Sequence, residues 1–386
     1  MKVGFVALVG RPNVGKSTLL NRMLGEKVAI VSDKPQTTRI SILGIKTTAA
    51  GQIIFIDNPG IHKPLHTLNK RMMQFVYAAL ETADVLCLLI DATQRHGHGD
   101  EFVIETLRRV RTPLFLLINK VDAVRKDTVL PIIDKYKDLL DFKEIIPISA
   151  LTGVNLDALE KKIYEFLPEA EKLYDDDTIT DQTLRFMLAE IIREKLLKRV
   201  EEELPFVTAV LIEKLEERKK RTEEGPAEAA GGISAGQAED SASGGQSIAA
   251  SVDSVPEAGF GEAADSGLEA APCGAGLGER PAQTDAAGHE VRGKKRAGAG
   301  PKSLRDKKRR ERTKVTYIYA TIFVEKDNHR KIVIGRHGQV IKEIGIEARR
   351  EIEDVLDSRV YLDLKVKVKP RWRDSADVLD LIEGQR

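Results

Sequence analysis

The stretch that most constrains the fold of this chain is Gly10-Arg11-Pro12-Asn13-Val14-Gly15-Lys16-Ser17, which has the spacing G-x-x-x-x-G-K-[ST]. A short apolar run, Val3–Val9, precedes it and is typical of a buried strand, and Ser17–Leu24 carries apolar residues at helical spacing. Strand, glycine-rich turn and helix in this order predict a loop whose backbone N–H groups bind phosphate at a helix N-terminus. Lys16 would reach the terminal phosphates, and the Ser17 hydroxyl would ligate Mg²⁺.

The 386 residues allow two or three domains, and a net charge of +1 argues against a chain that is basic throughout. The two cysteines, Cys87 in an apolar run and Cys273 in a low-complexity stretch, form neither a disulfide framework nor a zinc pattern, which suits a reducing cytosol. The N-terminus has no signal-peptide pattern, and no apolar run reaches the roughly 18 residues of a membrane span. We therefore expect a cytoplasmic protein whose membrane contact would be peripheral, on the cytoplasmic face.

Residues 1–168 alternate strand-like and helix-like segments, which predicts an α/β domain with a mostly parallel six-stranded sheet and helices on both faces. The predicted strands are Val3–Val9, Ser41–Thr47, Gln52–Ile56, Val85–Ile90, Leu114–Ile118 and Ile145–Ile148. Ala49-Ala50-Gly51 predicts a hairpin between the second and third strands, so one edge should be antiparallel. Ligands of such sheets bind at the carboxyl ends of the strands, and the polar motifs of this domain fall there.

Three of these motifs directly follow predicted strands. Asp57-Asn58-Pro59-Gly60 offers a carboxylate for Mg²⁺ and a glycine N–H for a terminal phosphate. Asn119-Lys120-Val121-Asp122 offers a carboxylate that can accept hydrogen bonds from N1–H and the N2 amino group of guanine, donors that adenine lacks. Ser149-Ala150 has small side chains that let backbone N–H groups approach the base.

Together these motifs resemble the five-motif pattern of the translation-factor-related GTPases. The resemblance implies guanine specificity and makes Ser32–Arg39 the first switch segment, which closes on Mg²⁺ when GTP is bound. Thr38 is the predicted closing threonine, with Thr37 as the alternative. The implied GTP-binding residues are Gly10, Arg11, Pro12, Asn13, Val14, Gly15, Lys16, Ser17, Thr18, Asp57, Asn58, Pro59, Gly60, Ile61, Asn119, Lys120, Asp122, Ser149 and Ala150. The implied metal ligands are Ser17, Thr38 and Asp57, and the implied catalytic residues are Lys16, Asn13 and Thr38.

Ile61 stands where Ras-like enzymes carry a water-orienting glutamine, so intrinsic hydrolysis should be slow. In some resembling GTPases an asparagine at the position of Asn13 ligates K⁺ near the transferring phosphate. This suggests K⁺ as a second cofactor beside Mg²⁺; the alternative is that Asn13 only hydrogen-bonds within its loop. Four loop histidines, His62, His66, His96 and His98, lack a metal-ligand pattern and are expected to be solvated.

The second half begins with an acidic linker, residues 169–180, before a predicted domain at 181–386. A helical pattern covers Ile179–Val200, and Pro205–Glu213 is strand-like. An Ala/Gly-rich segment at about 218–312 is predicted to be a disordered insertion. Its basic end, Lys294–Arg312, could either bind RNA without sequence preference or act as a solvated linker.

Order is predicted to return with a strand over Thr313–Glu325, followed by the apolar-flanked turn Gly335-Arg336-His337-Gly338 and a helix. This G-x-x-G turn resembles the RNA-clamping turn of the KH module. Residues 359–369 alternate apolar and lysine residues, which predicts a half-buried strand. The predicted RNA-binding residues are Gly335, Arg336, His337, Gly338, Lys342, Lys365 and Lys367.

The element order predicts an α+β domain that resembles a type II KH domain, with the insertion at a hairpin tip. A GTPase domain followed by such a module, with Gln36-Thr37-Thr38-Arg39 and Trp372-Arg373-Asp374, resembles the Era family. That resemblance implies a monomeric GTPase that binds GTP, GDP and small-subunit ribosomal RNA, assists 30S assembly and associates peripherally with the membrane. Asn58, His337 and the insertion depart from the family pattern. The alternative function is a GTPase switch that acts on a protein or membrane partner, in which the KH fold has only a structural role.

Overall fold

The computed structural model describes residues 1–219 and 314–386. Residues 218 and 219, where the disordered insertion was predicted to begin, lie in a strand. The rest of that predicted insertion, and the RNA affinity considered for its basic end, concern residues outside these ranges. None of the helices in the described ranges is both long and apolar enough to cross a membrane.

The first domain is built on one six-stranded sheet. Its strands are β1 (Lys2–Gly10), β2 (Ile42–Thr47), β3 (Gly51–Asp57), β4 (Val85–Asp91), β5 (Leu114–Asn119) and β6 (Phe142–Pro147), in the order β2-β3-β1-β4-β5-β6. Its helices are α1 (Lys16–Leu24), α2 (Thr67–Thr82), α3 (His98–Leu107), α4 (Val129–Tyr136) and α5 (Leu156–Phe166). Only β2 runs antiparallel to its neighbour, as the predicted hairpin requires. Apolar clusters fill both faces of the sheet, and Cys87 is buried in one of them.

The last strand of this sheet corrects one predicted boundary. It begins at Phe142, which pairs with Leu114, and ends at Pro147, whereas the apolar run predicted residues 145–148. Because β6 is an edge strand, its first half is partly solvated and carries Lys143 and Glu144. Polar residues on a half-exposed edge hide the start of a strand from an argument based on apolar runs.

The predicted linker, residues 169–180, lies against the edge of the sheet. The Gln52 side-chain amide donates to the Tyr174 carbonyl at 2.9 Å and accepts from the Leu173 N–H at 2.9 Å. Farther along, the Ile179 carbonyl accepts from the Ile45 N–H at 2.7 Å. The connection is therefore fastened to β2 and β3 at several points along its length.

The second domain packs most of its helices on one face of a three-stranded sheet, and its last helix packs with Ala209 and Phe323 on the other face. Its helices are α6 (Leu184–Arg199), α7 (Leu204–Val207), α8 (Asp327–Ile334), α9 (Gln339–Leu356) and α10 (Ala376–Glu383), and its strands are β7 (Ala209–Lys219), β8 (Lys314–Val324) and β9 (Arg359–Val368). In the order β7-β8-β9, β7 pairs antiparallel and β9 parallel with β8. The predicted architecture, a mostly parallel six-stranded α/β domain followed by an α+β domain, is confirmed.

Two segment predictions in this domain were wrong in detail. Residues 205–207 form part of the short helix α7, and the strand predicted from Pro205 starts only at Ala209. Proline is accepted at the first positions of a helix, where no intrahelical N–H bond is lost. Helix α6 starts at Leu184, because the Thr183 side chain caps it by accepting from the Phe186 N–H at 3.2 Å.

Candidate nucleotide site and RNA-binding turn

The phosphate-binding loop joins β1 to α1 and requires glycine at two positions. Gly10 has φ +142°, and a Cβ there would lie 2.4 Å from the Leu89 carbonyl oxygen. Gly15 has φ +98°, and a Cβ there would lie 2.3 Å from the Asn119 amide nitrogen. Only glycine allows the loop to pack this closely against the ends of β4 and β5.

Lys16 is buried at the start of α1, with its Nζ 2.9 Å from the Arg11 carbonyl and 3.3 Å from the Gly10 carbonyl. Burial lowers the pKa of Lys16 to about 8, and the nearby charge of Asp57 opposes this shift. The loop carbonyls thus hold the ammonium group inside the loop where phosphate oxygens would bind.

Ser17, Thr38 and Asp57 meet beside the loop. The Ser17 hydroxyl lies 2.6 Å from Asp57 Oδ2 and 2.9 Å from Thr38 Oγ1, and Thr38 Oγ1 lies 3.3 Å from the same carboxylate oxygen. Asp57 Oδ1 is buried without a hydrogen-bond partner, and burial raises the pKa of Asp57. Two hydroxyls and a carboxylate with an unsatisfied oxygen fit the oxygen ligands of Mg²⁺.

The same geometry distinguishes the two candidate threonines. The Thr37 hydroxyl donates to the Lys34 carbonyl at 2.6 Å, within the first switch segment. Thr38 alone of the pair contacts Ser17 and Asp57, so the arrangement favours Thr38 as the closing threonine.

Asn119 connects the phosphate-binding loop to the predicted base site. Its amide nitrogen donates to the Val14 carbonyl at 2.8 Å, and its amide oxygen accepts from the Ala150 N–H at 2.9 Å. Next to it, the Ser149 hydroxyl donates to Asp122 Oδ1 at 2.5 Å, which leaves that exposed carboxylate oriented at the sheet edge. These contacts hold the guanine-motif residues and the loop as one unit.

An open pocket of about 430 Å³ lies along this edge. It is lined by Pro12, Asn13, Gly15, Lys16, Ser17, Thr18, Ile30, Val31, Ser32, Asp33, Gln36, Thr37, Thr38, Gly60, Gln94 and Lys120. The other predicted nucleotide-binding residues, among them Asn119, Asp122 and Ser149, do not line this pocket. The Arg11 side chain pairs with Asp100 at 2.9 Å, and the Asn58 side chain accepts from Ser41 at 2.8 Å inside the protein. The Ile61 side chain is buried in the core, and its N–H donates to the Gly10 carbonyl.

Asp91 and Gln94 belong to this site but were not singled out from the sequence. Asp91 ends β4 and binds Lys120 at 2.7 Å, while Gln94 lines the pocket. Although burial favours a higher pKa for Asp91, hydrogen bonds from Lys120 and Thr93 hold it below its usual value. Its position at a strand end, like that of Asp57, was a signal that could have identified it.

Two of the four loop histidines, His62 and His96, are half-buried against protein partners, which corrects the expectation that all four side chains are solvated. His62 is half-buried, with Nδ1 2.7 Å from the Gly60 carbonyl and Nε2 2.6 Å from the Asn69 amide. The half-buried His96 contacts the Tyr136 hydroxyl at 2.9 Å, and His66 lies 3.7 Å from Asp374. His98 is fully exposed, as expected, although its Nδ1 also lies 2.9 Å from a carboxylate on its own helix.

The turn between α8 and α9 has the geometry of a glycine-dependent clamp. Gly335 has φ +76°, and a Cβ there would lie 2.5 Å from Val340 Cγ2. Gly338 has φ +75° with open space around it, and His337 between them also has positive φ, 51°. Arg336, His337 and Lys342 are at least partly exposed around this turn, where they can meet a phosphate backbone.

The two predicted strand lysines lie on another surface. In β9, Val360, Leu362 and Leu364 are buried under the helices, so Lys365 and Lys367 project from the opposite face of the sheet. Lys367 is also paired with Glu213 at 2.7 Å. The structure therefore does not bring these lysines together with the turn at Gly335–Gly338.

Comparisons with known proteins identify both halves of the chain. A family model described as a 50S ribosome-binding GTPase matches residues 5–120, and a KH domain model matches residues 301–373. The chain is 34% identical to Era in a crystal structure with MgGDPNP and nucleotides 1506-1542 of 16S ribosomal RNA, covering 99% of this chain and 98% of that one, with a TM-score of 0.71.

A second similar structure is a single-residue variant of Aquifex aeolicus Era bound to GDP.AlF4-. It is 33% identical, the match covers 99% of each chain, and the TM-score is 0.71. The chain therefore belongs to the Era family and is a GTPase with a C-terminal KH domain.

Proposed function

We propose that this GTPase binds small-subunit (16S) ribosomal RNA through its KH domain and acts in assembly of the 30S subunit. One observation carries the proposal: a formed nucleotide site and an exposed G-x-x-G turn occur in one chain. That chain matches, almost end to end, an Era structure containing both a magnesium nucleotide and a 16S ribosomal RNA fragment.

The proposed reaction is attack of water on the γ-phosphate of GTP, releasing GDP and phosphate. Ser17, Thr38 and Asp57 would hold Mg²⁺, which neutralises charge on the β- and γ-phosphate oxygens. Lys16 and the loop N–H groups would stabilise the charge that develops as the bond breaks. Because the Ile61 side chain is packed in the core, it cannot orient the attacking water.

We propose K⁺ as the second cation, ligated by the Asn13 side-chain oxygen. Asn13 has φ 65°, and its amide nitrogen donates to the Asp33 carbonyl at 2.5 Å, which fixes the orientation of the amide. The expected result is a GTPase rate several-fold higher in KCl than in NaCl at equal ionic strength. Asn13→Gly, which tolerates the backbone conformation, should remove the difference. Equal wild-type rates in the two salts would rule out the cation.

The RNA-binding part of the proposal is tested with Gly338→Asp. A carboxylate at the last position of the turn should repel the RNA backbone and reduce affinity for single-stranded 16S RNA at least tenfold, while GTP hydrolysis persists. The matched control is Gly25→Asp, because Gly25 also has φ +75° and open space but lies in the first domain. RNA affinity is measured by filter binding or fluorescence anisotropy.

Unchanged RNA binding in Gly338→Asp would instead favour the alternative function, a switch that acts on a protein or membrane partner. The family resemblance leads us to propose also that the protein works as a cytoplasmic monomer with peripheral membrane association. Sedimentation of the purified chain alone would test the monomeric state, and sedimentation with vesicles would test the membrane association.

A further inference from the structure

The closing threonine of the nucleotide site lies between two residues that are bound by the KH domain. Thr38 contacts Ser17 and Asp57, as described above. On either side of it, Thr37 and Arg39 are buried, and the Thr37 carbonyl and the Arg39 side chain bond to residues beyond position 190. The backbone around Thr38 is thus held from the second domain.

Arg193, on helix α6, makes the contact before Thr38. Its side chain is almost fully buried, and Nη2 donates to the Thr37 carbonyl oxygen. Glu190, one turn earlier on the same helix, binds Nε at 2.7 Å and Nη2 at 2.6 Å. Two bonds from one carboxylate fix the plane of the guanidinium group and keep its Nη2 directed at the first switch segment.

Arg39 makes the contact after Thr38. Its Nη1 donates to the Thr208 carbonyl at 2.6 Å, just after helix α7, and its Nη2 donates to the Pro205 carbonyl at 2.8 Å, within that helix. The guanidinium group also lies 5.7 Å from the centre of the Trp372 ring. Since these acceptors are backbone carbonyls of helix α7 and of the residue that joins it to β7, they move only if that part of the domain moves.

We propose that Arg193 of the KH domain is a positioning residue for GTP hydrolysis, holding the Thr37 carbonyl so that Thr38 remains beside Ser17 and Asp57. The inference rests on the proposed assignment of Thr38 to the metal and γ-phosphate. It means that the GTPase site is completed by the second domain, and that Arg39 anchors the other side of the same threonine.

The test compares Arg193→Ala, Arg193→Gln and Arg193→Lys in the full chain. Misplacing a catalytic-site ligand by about 1 Å can cost as much as ~100-fold in rate, so we expect Arg193→Ala to lower kcat by about 10- to 100-fold. Affinity for a non-hydrolysable GTP analogue should fall as well. Affinity for GDP should stay within about twofold, because the loop and guanine motif do not involve Arg193. Lys and Gln, which keep a donor, should retain part of the rate.

The matched control is Arg199→Ala. Arg199 lies on the same helix but binds Glu343 and Glu347, both in the KH domain, and should leave all three nucleotide measurements unchanged. A wild-type kcat in Arg193→Ala, or an equal loss of GDP and GTP-analogue affinity, would overturn the proposal. If Arg193→Ala does not fold, kcat, GTP-analogue affinity and GDP affinity are compared in the Gln and Lys variants instead. A wild-type kcat, or equal losses of the two affinities, in both of these variants would then overturn the proposal. Failure of RNA binding would leave this result standing, since no RNA is present in the assay.

Discussion

At the scale of single residues, the nucleotide site is governed by a buried ammonium group. Lys16 is 6% exposed, and the loop carbonyls that surround it replace only part of its hydration. A charged group that loses water gives up its proton more easily, which is why its pKa falls from 10.5 to about 8. Bound phosphates would restore the lost interaction and raise the pKa again.

This leads to a prediction about pH. At about pH 9, most of Lys16 is neutral in the nucleotide-free protein, so GDP binding should take up protons, and affinity should weaken as pH rises further. Calorimetric titration in two buffers of different ionisation enthalpy measures the uptake, and the same titration near pH 6.5 is the control because Lys16 is already charged. Identical heats in both buffers at the higher pH would contradict the assigned pKa.

The folding stability of the nucleotide-free chain should depend on pH in the opposite direction from nucleotide affinity. In the nucleotide-free chain the folded-state pKa lies below the ordinary value of 10.5, so the unfolded state binds more protons between about pH 8 and 10.5. The contribution of Lys16 to the free energy of unfolding should therefore increase as pH rises through this window. As pH rises, Lys16 should therefore increase the folding stability of the nucleotide-free chain and decrease its affinity for nucleotide.

At the scale of elements, the turn Trp372–Asp374 ties helix α2 to the KH sheet. Trp372 is fully buried with Leu68 and Met72 of α2, and its Nε1 donates to the Val207 carbonyl at 2.8 Å. Asp374 accepts from the Thr67 N–H at 2.9 Å at the start of the same helix. The segment after Gly60 therefore also ends in contacts with the second domain.

Removing the Trp372 side chain should lower the free energy of unfolding substantially. Trp372→Ala would leave a large cavity between α2 and the sheet, and we expect the free energy of unfolding to fall by roughly 3–5 kcal/mol. Trp372→Phe keeps much of the ring and loses mainly the hydrogen bond to Val207, so it should cost about 1–3 kcal/mol. Urea unfolding followed by circular dichroism measures both, and similar losses in the two variants would contradict a packing role.

At the scale of the whole molecule, both segments that face the γ-phosphate position contact the KH domain. The first does so through Arg39 and Arg193, and the second through Asp374. A third contact joins Lys27, just after α1, to Glu194 at 2.7 Å and to Glu351 at 2.6 Å. Of these contacts, the pair with Glu351 reaches α9, one of the two helices that flank the G-x-x-G turn, so it joins the segment after α1 directly to that helix.

The sequence predicted what depends on local spacing. The phosphate-binding loop, the strand-end motifs and the G-x-x-G turn each occupy a few consecutive residues, and their positions in the fold follow from the alternation of elements. Arg39 and Trp372 were named only as parts of family motifs and Arg193 not at all, and the contacts of all three could not be predicted because their partners lie more than 150 residues away along the chain. The local sequence does not distinguish an arginine that is buried between two domains from one that is solvated.

The hairpin of β7 and β8 has a consequence for protein engineering. Lys219 and Lys314 are paired in register at its open end, so the backbone leaves the described fold and returns to it at neighbouring positions. Each doubling of a flexible loop adds only about 0.6 kcal/mol to its closure cost. This position is therefore a suitable insertion site, where a reporter domain could replace residues 220–313 without displacing β7 or β8.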